Sequence, residues 1–98
     1  MNFSTAKTKL SINYTTAMKK DLKRVQKRGY DMQEIAKVIE KLANDEQLEE
    51  RYHDHALEGN WVGHRELHIR SDWLLIYQKK DNLLILELSR TGTHADLF

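Results

Sequence analysis

The chain contains no cysteine and no proline. Without cysteine there is no disulfide framework, no thiolate metal site and no cysteine nucleophile, and the composition agrees with a reducing compartment. Long hydrophobic runs are also missing. The longest strictly apolar stretch is Trp73–Tyr77, far short of the roughly 20 residues that cross a membrane. The opening M-N-F-S-T-A-K-T-K-L holds no apolar segment of signal-peptide length. A soluble, cytoplasmic protein is expected. Nor is there a large excess of one charge, since the net charge is +1. Its distribution is uneven, however: eight Lys/Arg against one acid, Asp21, between Lys7 and Arg28, then nine acids against three bases between Asp31 and Glu58. Such asymmetry suggests a side that faces a polyanion and a separate acidic side.

With no repeat and no linker-like stretch, the 98 residues read as a single domain, 1–98. A chain of this size buries only about two-thirds of its unfolded surface, so the core is small. Residues 1–7 are polar and are expected to be flexible or to extend the first strand. Leu10-Ser11-Ile12-Asn13-Tyr14 alternates apolar and polar, the period of a strand over about 9–14. Thr15 or Thr16 then offers a helix N-cap. Met18, Leu22 and Val25 recur at i, i+4, i+7, predicting a helix that ends at Lys27 or Arg28 and is stopped by Gly29. Asp31 followed by Glu34 has the pattern of a capping box. Ile35, Val38, Ile39 and Leu42 make the cleanest helical stripe, predicting a second helix to about Ala43 and a helical hairpin.

Residues 44–60 are charged and aperiodic, and read as a long connection with a helical turn around Gln47–Arg51. Three strands follow, at His64–Arg70, Trp73–Lys79 and Leu83–Arg90, in an antiparallel meander. The expected fold is α+β, β-α-α-β-β-β, a small antiparallel sheet covered by the N-terminal helical hairpin. Leu67 and Ile69 should pack beneath the helices. Glu66, His68 and Arg70 point the other way, and that polar face, with Arg90, is where a site is expected.

No cysteine ligand exists, and His53-x-His55 has no third ligand at motif spacing, so no metal and no cofactor is expected. His68, Asp72, Arg90 and His94 instead suit metal-free RNA cleavage. Histidines serve as base and acid near neutral pH, a carboxylate orients an imidazole, and a guanidinium holds a phosphate. Trp73 and Phe98 are candidate stacking platforms for a base. His53 and His64 have no assigned role.

The motifs that carry these residues are Asp54-His55-x-Leu57, Gly59-x-Trp61-x-Gly63-x-Arg65-x-x-His68, Asp72-Trp73-x-Leu75-Ile76-Tyr77 and Arg90-Thr91-Gly92-Thr93-His94-x-x-Leu97-Phe98. Together they resemble the YafQ branch of the RelE/ParE toxin superfamily, bacterial toxins that act as messenger RNA endonucleases on the ribosome. The resemblance implies a RelE-like fold and catalytic roles for His55, His68, Asp72 and His94. Asp72 or His68 would stand on the base side, and His94 with His55 near the leaving group. It implies a phosphate-stabilising Arg90, and Trp73 and Phe98 near the substrate. It makes Lys19, Lys20, Lys23, Arg24, Lys27 and Arg28 a ribosomal RNA contact. The implied partners are the 70S ribosome with its mRNA and a co-encoded antitoxin of DinJ or RelB type.

The chain departs from the family at Ala56, where proline is common. Other classes of function on the same fold are a catalytically silent binding module and a gyrase inhibitor like the ParE branch. The latter lacks the histidine set.

Overall fold

The computed structural model describes residues 8–98; the expectation for residues 1–7 lies outside them. Strand β1 spans Ser11–Tyr14, helix α1 Thr16–Lys27 and helix α2 Met32–Ala43. Strand β2 is His55–Ala56, β3 Arg65–Arg70, β4 Trp73–Lys80 and β5 Ile85–Gly92, and a short helix α3, His94–Leu97, ends the chain.

The local chemistry of the helices follows the expected signals with one exception. Thr15 is the cap of α1, its hydroxyl accepting from the Met18 amide at 3.0 Å while donating to the Ser89 carbonyl at 2.8 Å. Met18, Leu22 and Val25 are buried, and Gly29, at φ +83°, takes the left-handed turn that ends the helix. Asp31 caps α2 by accepting from the Gln33 amide at 3.0 Å. Glu34, however, does not complete a capping box. Its carboxylate is taken by the Arg70 guanidinium across the fold. Ile35, Val38, Ile39 and Leu42 all face the core.

The sheet order is β1-β5-β4-β3-β2. The meander β3–β4–β5 is antiparallel as expected, and β2 adds antiparallel to β3 through His55 opposite Glu66 and Ala56 opposite Arg65. Strand β1 runs parallel to β5, which makes the whole sheet mixed. A parallel pair requires a long crossover, and the helical hairpin with the meander supplies it. Two boundaries differ from expectation. Asp81–Leu83 forms a 3-10 turn, and Leu84 lies in the left-handed region at φ 54°, so β5 begins only at Ile85 and runs on to Gly92. The long connection also has more structure than its composition shows: 3-10 turns at Glu50–Tyr52 and Gly59–Trp61 flank β2.

One face of the sheet carries Leu67, Leu75, Tyr77, Leu86 and Leu88 against the two helices, the main core. The other face has a second, smaller cluster in which Leu74, Ile76 and Leu97 pack with Leu57 and Trp61. That face is therefore partly apolar rather than a plain polar surface. Two register shifts mark it. One, between His68 and Arg70, leaves Ile69 unpaired; the other places Arg90 opposite Ile76 and Leu88 opposite Tyr77, with Ser89 in excess. Both bulges adjoin expected site residues, and bulges re-aim side chains. Among the described residues no helix is long and apolar enough to cross a membrane.

Candidate active site

Two groups of side chains are built on and around the β3–β4 hairpin. The first is centred on Glu66, which is 4% exposed. One of its oxygens, Oε1, lies 3.5 Å from His55 Nε2 and 3.7 Å from His68 Nε2. Strand pairing causes this: His55 stands directly opposite Glu66, and His68 is two residues further along the same strand, hence on the same face. The His55 ring is fixed from behind, its Nδ1 2.6 Å from the His53 carbonyl. Both His55 nitrogens thus lie near oxygen atoms, the His53 carbonyl on one side and the Glu66 carboxylate on the other. His53 reaches this arrangement through a left-handed backbone, φ 50°, and its ring stands edge-on to His68 at 5.9 Å. His68 Nδ1 is 3.4 Å from the Ser71 carbonyl.

The segment carrying His55 is held by a neighbouring network. Tyr77 donates its hydroxyl to Asp54 at 2.7 Å, and Arg65 Nε donates to the same carboxylate at 3.1 Å. Burial, together with the Asp54 charge, pushes the Tyr77 phenol well above its ordinary value, so it stays a donor.

The second group is built on the turn between β3 and β4 and on the tail. Asp72 Oδ1 accepts from the His94 amide at 3.0 Å, which ties α3 to the turn next to His68. The His94 ring lies 5.3 Å from Phe98, and Phe98 is 59% exposed.

The R-T-G-T-H run has a reason at each position. Arg90 reaches Asp21 of α1 with Nε at 2.6 Å and a second nitrogen at 3.2 Å. The Thr91 hydroxyl is buried, accepts from the Trp73 indole at 2.9 Å and donates to the Leu74 carbonyl at 2.7 Å. Gly92, at φ +154°, leaves no room for a Cβ, which would meet the Asp96 carboxylate at 2.8 Å. Thr93 caps α3 in a capping box with Asp96. His94 then opens the helix. Asp96 is gripped by Arg28 at 2.6 and 3.1 Å, which, with the Thr93 amide, holds its carboxyl well below the usual range.

Of the expected site residues, the structure gathers His55 with His68 around Glu66, and Asp72 with His94 and Phe98. Three expectations are corrected. Trp73 is 2% exposed, packs edge-on against Tyr30 at 4.9 Å in the helix-side core and donates to the Thr91 hydroxyl, rather than standing open as a stacking platform. The bidentate edge of Arg90 is already occupied by Asp21, a carboxylate 1% exposed that also accepts from the Thr91 amide at 3.1 Å. Only the outward part of the Arg90 guanidinium is open to a phosphate. Within the basic helix, Arg24 and Arg28 are engaged by Asp21 and Asp96, whereas Lys19, Lys20, Lys23 and Lys27 are exposed.

Glu66 and His53 were not singled out from the sequence. Glu66 had a signal, because strand parity puts it on the His68 face; His53 had none. The His64 ring stands edge-on to Trp61 at 5.1 Å. Among the described residues, no three His, Asp or Glu side chains are gathered to hold a metal ion.

Comparison with known proteins identifies the family. The family described as "Bacterial toxin of type II toxin-antitoxin system, YafQ" matches residues 10–98. The mRNA interferase toxin YafQ of Escherichia coli K12 is 44% identical over 88 residues, covering 89% of this chain and 94% of that protein. The crystal structure of the E. coli DinJ–YafQ toxin–antitoxin complex is matched with a TM-score of 0.84 at 41% identity, over 92% of this chain and 98% of the other. A metal-bound toxin from Helicobacter pylori is matched with a TM-score of 0.86 at 39% identity, over 91% and 99%. The chain belongs to the YafQ family of type II toxins in the RelE/ParE superfamily.

Proposed function

We propose that this chain is an mRNA interferase that cuts messenger RNA in the ribosomal A site by acid–base catalysis from its histidines. The observation that carries this reading is the pair His55 and His68, both turned to one buried Glu66, beside an Asp72 that fixes His94. In the reaction the 2′-hydroxyl gives up its proton and its oxygen bonds to the adjacent phosphorus. The P–O5′ bond breaks, and the leaving oxygen takes a proton. The products are a 2′,3′-cyclic phosphate and a 5′-hydroxyl. His68 or Asp72 serves as the base, and His55 and His94 serve on the acid side. Phe98 offers the exposed ring on which a base stacks.

The proposed route uses the histidines and Asp72 as acid and base. The four exposed lysines of α1 suit ribosomal RNA, a contact that weakens steeply with salt. The E. coli relative forms a complex with DinJ, and an antitoxin of that type is the expected neutralising partner here.

The test is growth arrest in cells that make this protein without an antitoxin. His68→Ala and His94→Ala should each relieve arrest, with about 10²–10⁴-fold slower cleavage of ribosome-bound message. Full toxicity of both variants overturns the catalytic assignment. Cleavage should survive EDTA and should be much faster on programmed ribosomes than on naked RNA.

A further inference from the structure

Two hollows flank the 3-10 turn at Glu50–Tyr52, and they differ in charge. One, of about 570 Å³, is walled by Asp45, Glu46, Glu49, Glu50 and Asp54, and its two cations are committed, Arg65 to Asp54 and Lys79 to Asp45. It repels a polyanion. The other, of about 470 Å³, is lined by Arg51, His53, His68 and Arg70 over the Tyr52 ring, with no acidic side chain in its wall. It shares His68 with the active site.

We propose that this second hollow is a phosphate subsite for the message strand, where Arg51 and Arg70 receive the phosphodiester next to the one that is cut. The proposal rests on the reading of His68 as a residue at the cut bond. The Arg51 guanidinium is already placed, lying 4.5 Å over the Tyr52 ring and donating to its hydroxyl at 2.7 Å. Its other contact is an exposed pair with Glu49 at 3.3 Å. Arg70 is held by Glu34 in another exposed pair. The Glu49 pair is weak in water, so Arg51 exchanges its carboxylate for a phosphate at little cost, while Arg70 exchanges its two-pronged contact with Glu34 for an equivalent one with phosphate. The planar guanidinium fork suits a phosphodiester. The hollow thereby supplies the cationic contact that Arg90, bound to Asp21, provides only in part.

The experiment uses ribosomes programmed with messages that carry one neutral methylphosphonate linkage, placed in turn at each phosphate flanking the cut bond. Single-turnover cleavage is compared for the wild type and the double variant Arg51→Ala/Arg70→Ala, whose fold is checked by thermal melting. At one flanking position the neutral linkage should slow the wild type by about tenfold and leave the double variant unaffected. Equal slowing of both proteins, or wild-type rates in the double variant on the charged message, overturns the subsite. So does a double variant that cleaves normally but loses antitoxin affinity, which would make the hollow a protein-docking site. If the wild type cleaves no programmed ribosome, the enzymatic reading falls. The subsite is then judged by binding to a 2′-O-methyl RNA. There the double variant should lose about 0.7 of salt-dependence slope per phosphate contact, and an unchanged slope rejects it.

Discussion

The two faces of the sheet solve different problems with the same strands. Facing the helices, Leu67, Leu75, Tyr77, Leu86 and Leu88 are essentially inaccessible and packed against two amphipathic stripes. On the other face only Leu74, Ile76 and Leu97 form a buried cluster, and the same rows carry Glu66, His68 and, across from Glu66, His55. In a small domain one continuous core is sufficient for folding. The second face therefore carries polar groups at positions that a larger core would fill. The difference shows where substitution should separate stability from activity.

The widest separation is expected between Leu75→Ala and Glu66→Gln. Leu75 is fully buried on the helix side, so truncation should cost about 2–5 kcal/mol in urea unfolding. Cleavage by the remaining folded protein should be nearly normal. Glu66→Gln keeps the volume and removes the charge shared by His55 and His68. Its melting temperature should move little, while kcat falls on the order of tenfold or more with KM nearly unchanged. Glu66→Asp, which restores the charge, should recover part of the loss. A Glu66→Gln protein that unfolds easily but cleaves at the normal rate would make both faces structural.

The two aromatics near the site sharpen the contrast at a smaller scale. Trp73 is on the core side and Phe98 is exposed. Trp73→Phe removes the hydrogen bond to Thr91, for an expected loss of about 1 kcal/mol of stability and little change in rate. Phe98→Ala should leave stability alone and weaken substrate engagement by about 1–3 kcal/mol, the usual worth of one base stacked on an aromatic ring. The measurement is KM for programmed ribosomes beside a melting curve for each variant. The reverse pattern would return the stacking role to Trp73.

Much of this was legible because periodicity reports which face a residue takes. The stripes Met18-Leu22-Val25 and Ile35-Val38-Ile39-Leu42 identify the helices, and parity in β3 separates Leu67 from Glu66 and His68. Asp21 was also open to reading. It is the single acid in the basic segment and falls on the buried stripe between Met18 and Leu22, where a carboxylate needs cationic partners. What periodicity does not carry is register. The burial of Glu66 depends on β2, a strand of two residues with no alternation to detect. The bulge at Ser89 moves Arg90 by one position relative to a regular ladder. The left-handed turn at His53 is set by contacts from the rest of the fold. Tertiary pairing decides each of these, and no window of local sequence contains it.

The smallest expected effect concerns how the tail is attached to either face. Asp96 joins α3 to α1 through Arg28, with Arg24 at 3.4 Å, and its carboxyl is held well below the usual range by Arg28 first and the Thr93 amide second. The sign follows from linkage. A carboxylate depressed in the folded state contributes stability that is complete above its unfolded value, near pH 4, and is lost as pH falls through the folded value. Docking of α3 should therefore be pH-independent near neutrality and weaken only in acid. The amide resonances of His94 and Phe98 should report it as the pH falls below about 4. The Arg28–Asp96 pair is exposed, so salt should attenuate the effect. Asp72 also holds the His94 amide, so the discriminating variant is Asp96→Asn. It should loosen α3 at neutral pH and remove most of the acid transition seen at Phe98. An unchanged transition in Asp96→Asn would show that the Arg28–Asp96 pair does not anchor the tail.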